Sequence, residues 1–307
     1  KIARKIGHKN VARMFDLNNL VHREHVARYL SYLIARTSAY WNVFYALGSE
    51  TANIFPDMAE GFNRWWTYWA EFVASKDPHG RLCSFGDIGE RDPLVRNVRN
   101  QIIITQEHTS MDDPAMFAQT INAFGKRFWR YQRPTVVGEQ HLFNNNRYDT
   151  ERVGQWVSFA CGMMMGRVDR HMDIARDGRL HESTMFGIEG DPPIYEALEY
   201  MTRFVEESGI RFWRMAPHDE LIIGPLRTFF CLAEPDVAYM VYFRAGGEIG
   251  LRMSPGEYEV KWFNPRTGEF LPANIISASR ETRFAAPDSM DWVLYLCNRV
   301  YGHTATP

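Results

Sequence analysis

The chain has 307 residues, 45% of them hydrophobic and 23% charged, so it can bury a sizeable core and is long enough for two domains. Its 35 basic and 37 acidic residues leave a net charge of −2, which excludes nucleic-acid binding by bulk charge. No apolar run approaches the ~18 residues of a membrane span. Cys83, Cys161, Cys231 and Cys297 show neither CxxC nor metal-ligand spacing and read as small apolar side chains. Cys231 and Cys297, both in strand-like segments, are the one pair for which a disulfide stays open.

Two textures meet near residue 216. In the first, residues 22–38 carry Val26, Tyr29, Leu30, Leu33 and Ile34 at helical spacing. A short β-prone run follows at 42–48, ending at Ser49 and Glu50. Residues 59–75 are again helical, with an aromatic face of Phe62, Trp65, Trp66, Trp69 and Phe72. Strands are predicted at 81–85 and 101–105, a helix at 114–131, and a strand at 134–138 ending at Glu139. Residues 151–165 start helical around Trp156 and run into a strand over 158–165, with 162–166 read as a packed strand-to-helix segment. A further helix spans 193–209. Short apolar strands spaced by helices indicate βα units with parallel pairing, as a barrel or as a doubly wound sheet.

From about Glu220 the expected period is two. Strands are predicted at 221–224, 226–232, 237–243, 248–252, 258–263 and 292–297, punctuated by Gly246-Gly247, Pro255-Gly256 and the 264–268 turn. This describes an antiparallel sandwich over 217–307 following an α/β region over 1–216.

Glu50 and Glu139 each close a predicted strand. In a parallel barrel the strand C-termini converge on one face, where active sites sit. One such glutamate reads as a solvated loop residue; two, each directly after an apolar strand, read as an acid/base and nucleophile pair for glycosidic bond cleavage. Asp87, Glu107, His108 and His141 follow strands in the same way and are candidates for contacts to sugar hydroxyls, as are the asparagines at 144–146; the alternative for each is a satisfied loop polar group. The tryptophans of this region suit sugar stacking, although Trp65, Trp66 and Trp69 at helical spacing read as core. His22-x-x-His25 lacks the Glu of a zincin motif and a third ligand, so neither metal nor cofactor is expected. There is no phosphate-cradling glycine loop and no nucleophile elbow.

The segment 43–50 resembles the fourth-strand acid/base segment of clan A glycoside hydrolases, and 134–139 resembles their seventh-strand nucleophile segment. More narrowly, the chain resembles the apiosidase-like family of (β/α)8 glycosidases. That likeness extends through Arg152-x-x-x-Trp156, the glycine-rich 162–166 and the Phe204…Phe212-Trp213-Arg-Met-Ala-Pro217 passage. Residues 238–268, with Trp262-Phe-Asn-Pro-Arg-Thr-Gly268 as the most specific string, are similar to the β-sandwich called the putative collagen-binding domain of collagenases.

The resemblance implies a (β/α)8 TIM-type barrel followed by a sandwich. Glu50 would be the general acid/base and Glu139 the nucleophile of a retaining mechanism, their carboxyl groups roughly 5–5.5 Å apart. Ser49 stands where that clan usually carries an Asn that contacts the sugar 2-hydroxyl; Trp156 is a candidate substrate contact by its ring, as one of the tryptophans suited to sugar stacking. The substrate would be a poly- or oligosaccharide and the setting secreted or periplasmic. Only about five barrel strands, the fourth to the eighth, are counted before residue 216. The expectation is therefore the C-terminal part of an enzyme of roughly 400 residues. The alternatives are a non-catalytic carbohydrate-binding or assembly protein and, more remotely, a doubly wound hydrolase of another class.

Overall fold

The computed structural model describes residues 15–48, 59–86, 93–107, 114–140, 148–165, 194–225 and 227–302. The chain divides into two compact units, Lys1–Gln106 with Tyr131–Glu139 and Glu107–Arg130 with Gln140–Pro307.

In the first unit, helix α1 (Leu20–Thr37) is started by Asn19, whose side chain accepts from the His22 N–H, and it buries Leu30 and Ile34, one turn apart. Helix α2 (Ala59–Lys76) buries Phe62, Trp66, Trp69 and Val73. Its Trp65, Trp66 and Trp69 rings meet edge-on, with Phe15 against Phe62 and Trp65. The aromatic face read from the sequence is thus core. Strands β1 (Tyr45–Ala46) and β2 (Cys83–Ser84) pair in parallel. Both are shorter than the apolar runs that announce them, because only these residues find a ladder partner.

A buried ion pair anchors β2. Arg81 Nη1 donates to Asp77 Oδ1 at 2.5 Å, while Nη2 donates to the Ser38 and Tyr40 carbonyls and so ties the end of α1 to the start of β2. Beyond β2, the Cys83 carbonyl accepts from the Gln101 and Ile102 N–H groups, and the Phe85 N–H donates to Asn100. Strand β3 (Ile103–Glu107) is the hydrogen-bonded neighbour of β4 (Thr135–Gln140).

In the second unit, helix α3 (Pro114–Trp129) opens on proline, which suits a first helical position. Helix α4 (Tyr148–Ala160) ends before the strand expected over 158–165. Met163 N–H donates to the Ser158 carbonyl and Gly162 N–H to the Phe159 carbonyl, closing the helix with Gly162 at φ +71°. A Cβ at Gly162 would lie 2.4 Å from the Trp129 ring, so the position admits only glycine. The glycine is a helix C-terminus, and just two residues, Met164–Met165 (β5), become strand. Residues 162–165 therefore run from helix to strand, the reverse of the expected order. Helix α5 (Ile194–Ser208) follows.

Antiparallel pairing begins at β6 (Ala216–Pro217), on β8 (Phe229–Glu234). The larger sheet then runs through β9 (Ala238–Phe243), β15 (Trp292–Asn298) and β11 (Gly256–Asn264), with β12 (Glu269–Phe270) and β13 (Asn274–Ala278) both on β11. A second sheet orders β14 (Glu281–Ala285), β10 (Glu248–Arg252) and β7 (Ile222–Ile223). Helix α6 (Arg299–Gly302) ends the described chain. Phe229, Cys231, Tyr239, Val241, Leu294 and Leu296 of the large sheet share a core with Ile249, Leu251 and Phe284 of the small one.

The opposite face of the large sheet is buried as well. Trp156 of α4 stacks on Tyr242 at 6.1 Å, and Phe204 of α5 meets Phe263 at 5.3 Å and Phe270 at 6.0 Å. Every residue of β9 is consequently buried, so the expected alternation gives way to a continuous apolar strand. Strands β12, β13 and β14 escape sequence reading because they are short or polar. All four cysteines are free, with β9 lying between the strands of Cys231 and Cys297.

Replacing Trp156 by alanine should cost about 3–5 kcal/mol in denaturant unfolding. Trp213→Ala, at a residue 69% exposed, should cost within about 0.5 kcal/mol. Equal costs would contradict the packing described.

At Asp77, burial raises the carboxyl pKa, but N–H bonds from Arg81 and His79 and the Arg81 guanidinium outweigh it and hold the value below the ordinary carboxylate range. A depressed folded pKa contributes stability above the unfolded value, lost as pH falls through the folded one. Urea midpoints should therefore place Asp77→Asn below the parent at pH 7, with the gap closing towards about pH 2. A pH-independent gap would contradict the assignment.

Candidate active site

Parallel pairing gives β1 and β2 a common exit. Tyr45 lies opposite Cys83 and Ala46 opposite Ser84, with the Leu47 N–H donating to the Ser84 carbonyl. The chain leaves both strands at the same end, shortly before Ser49 and Glu50 on one and Asp87 on the other. Ser49, Glu50, Asp87, His108 and His141 themselves lie outside the described residues, as does the Glu50–Glu139 separation. Glu107 is the last residue of β3, and Glu139 is the penultimate residue of β4. Strands β3 and β4 are hydrogen-bonded neighbours, so these two glutamates occupy neighbouring strands.

Sharp turns set these exits. Gly86, at φ +85°, follows Phe85, and its N–H donates to the Ser84 hydroxyl. Gly48 precedes Ser49; a Cβ there would fall 2.5 Å from the Trp66 ring, so the indole of α2 packs directly on the exit of β1.

Trp156 requires correction as a substrate contact. It is fully buried, enclosed by Phe159, Phe204, Tyr242 and Phe263, and has no ring face to offer a ligand. Its position on the inner face of α4, against a sheet far away in sequence, is what a lone aromatic in a helix cannot announce.

Thiol nucleophiles are unsupported. Burial, with the Asp77 charge nearby, pushes Cys83 up to about 11, and burial raises Cys161 and Cys231 as well. Among the described residues, no three His, Cys, Asp or Glu side chains gather as a metal site. An apolar cavity of about 350 Å³ between α4 and α5 is lined by Phe159, Met163, Met201 and Phe212. Its one carboxylate is Glu206, so it provides no carboxylate pair.

Two polar clusters have no local signal in the sequence. Buried Asp219 accepts from Asn122 at 2.8 Å and from the Cys231 N–H at 2.7 Å, and pairs with Lys126 at 2.7 Å. Asp291, 3% exposed, accepts from Arg152 Nε at 2.9 Å, from Arg152 Nη2 at 3.2 Å and from the Tyr242 hydroxyl at 3.1 Å. In the sequence Arg152 stands only as part of a family likeness, and no local signal marks a partner 139 positions away.

Comparison with known proteins adds the following. Residues 229–297 match the family described as the putative collagen-binding domain of a collagenase. No curated protein matches the chain. One solved glycoside hydrolase superposes with a TM-score of 0.60 at 14% identity, over 90% of this chain and 69% of its own. A putative glycoside hydrolase from Bacteroides vulgatus ATCC 8482 superposes with a TM-score of 0.55 at 12% identity, over 89% of this chain and 55% of its own. The chain is thus shorter than either, and at these identities the likeness is one of fold.

Proposed function

We propose that the protein is a retaining glycoside hydrolase acting on a poly- or oligosaccharide, with Glu50 as general acid/base and Glu139 as nucleophile. The observation that carries this reading is the placement of Glu139 inside β4, next to β3, in a chain whose fold resembles solved glycoside hydrolases. The common exit of the parallel strands β1 and β2 supports the place of Glu50 just beyond β1.

In this mechanism Glu50 gives a proton to the glycosidic oxygen as the bond to the anomeric carbon breaks. The Glu139 carboxylate attacks that carbon and forms a glycosyl–enzyme ester. Glu50, now ionised, takes a proton from water, whose oxygen displaces Glu139 and regenerates both groups. The scheme requires one protonated and one ionised carboxyl at the same pH, hence a bell-shaped rate profile. Ser49, Asp87, Glu107, His108 and His141 are proposed to bind sugar hydroxyls, and export from the cell is proposed with them.

The sandwich is read as a support rather than a sugar platform. Trp292 is buried, Trp262 is half-buried against Phe243, and one face of the large sheet is covered by α4 and α5.

Assay on a panel of aryl glycosides should show turnover by the parent, with retained anomeric configuration by NMR. Glu139→Gln and Glu50→Gln should each lose at least about 10³-fold in kcat/KM. A parent that binds oligosaccharide but cleaves none would favour the non-catalytic reading. A Glu139→Gln variant as active as the parent would overturn the nucleophile assignment.

A further inference from the structure

We infer that Asp291 of the sandwich is a positioning residue: through Arg152 it fixes the start of α4, the helix that follows the Glu139 strand in the chain. The inference rests on the reading of Glu139 given above, and the measurement below can be judged without it.

Arg152 sits near the N-terminal end of α4, where the helix dipole disfavours a cation. Asp149 in the first turn suits that dipole, and its Oδ1 accepts from Arg152 Nη1 at 2.6 Å, but Asp149 is largely in solvent. Asp291 is not: its two oxygens take the Nε and Nη2 donors of the guanidinium side by side, at 2.9 and 3.2 Å. The Tyr242 hydroxyl donates to the same carboxylate from β9, and Arg266 Nε lies 3.7 Å away. Arg266 is itself held over the Trp292 ring and donates to Asp288.

The pair is therefore built from the sheet side. Its carboxylate, at the entry to β15, is held by Tyr242 of β9 and faces Arg266 in the turn of the Trp-Phe-Asn-Pro-Arg-Thr-Gly string, and only Arg152 comes from the helix. The same turn grips α5, since Arg203 Nη1 donates to the Gly268 carbonyl and a Cβ on Gly268 would fall 2.3 Å from the Tyr200 ring. This gives the string a role: it is a latch on both helices rather than a ligand site.

The functional consequence follows from chain length. Strand β4 ends at Gln140 and α4 begins at Tyr148, so the connection is short. Helix α4 is the helix that follows the Glu139 strand in the chain, and small misplacements of a reacting group are costly, so loosening the start of α4 is expected to lower the rate.

Hydrogen exchange read by mass spectrometry on the full chain tests this with Asp291→Asn and, as a milder variant, Tyr242→Phe. For Asp291→Asn, exchange at residues 148–153 should rise at least about tenfold, while β9 and β11 stay within about twofold of the parent. Tyr242→Phe should show the same pattern at smaller amplitude. On a cleaved aryl glycoside, Asp291→Asn should lower kcat about tenfold with KM within twofold, since the reacting geometry and not ground-state binding is disturbed. Unchanged exchange at 148–153, or an equal rise throughout the sheet, would overturn the inference. A parent with no glycosidase activity would overturn the reading of Glu139 and leave the exchange result to decide the role of Asp291.

Discussion

The large antiparallel sheet is apolar on both faces, and neither face can be left to water. One face closes on the small sheet; the other closes on α4 and α5 through Trp156 and Phe204. Burying an aromatic side chain on that second face is worth on the order of 2–3 kcal/mol, so the helices are not optional cover. The rest of the second unit follows from this arrangement. The Arg152–Asp291 pair forms where α4 crosses the sheet, and Gly268 lacks a side chain because α5 comes too close for one. Once that face is covered, ion pairs inside it must be complete.

The helices of the first unit could be read from residue spacing because their information is local. Leu30 and Ile34 in α1, and Phe62, Trp66 and Trp69 in α2, repeat on one face and are buried, whereas Tyr29, which the same spacing names, is exposed. Strand positions were local too, but strand lengths were not. Tyr45–Ala46 and Cys83–Ser84 are short because a ladder needs partners, which no apolar run can report. The 158–165 segment misled because three methionines outweigh a glycine in any propensity sum. Yet Gly162 at positive φ ends the helix there.

The candidate site was legible in a different way. Glu139 was singled out by its place at the end of an apolar run, and it does lie within β4. Trp156 was singled out by residue type, and type alone does not distinguish a sugar-stacking ring from a core ring. Asp291 could not be singled out at all: its meaning depends on an arginine distant in sequence and on a tyrosine whose hydroxyl is buried. The polar groups that organise the second unit come from positions that have no sequence relation to one another.

A sequence division at residue 216 separates the sandwich from helices that the structure groups with it in one compact unit. The most direct measurement is a thermal and denaturant melt of residues 217–307 expressed alone. Cutting there strips Phe230, Tyr242, Phe263 and Tyr295 of their helical cover. The account predicts no cooperative transition and strong binding of a hydrophobic dye. A monomeric fragment that melts cooperatively with the midpoint of the parent would contradict it, and would mean that the sheet does not need α4 and α5.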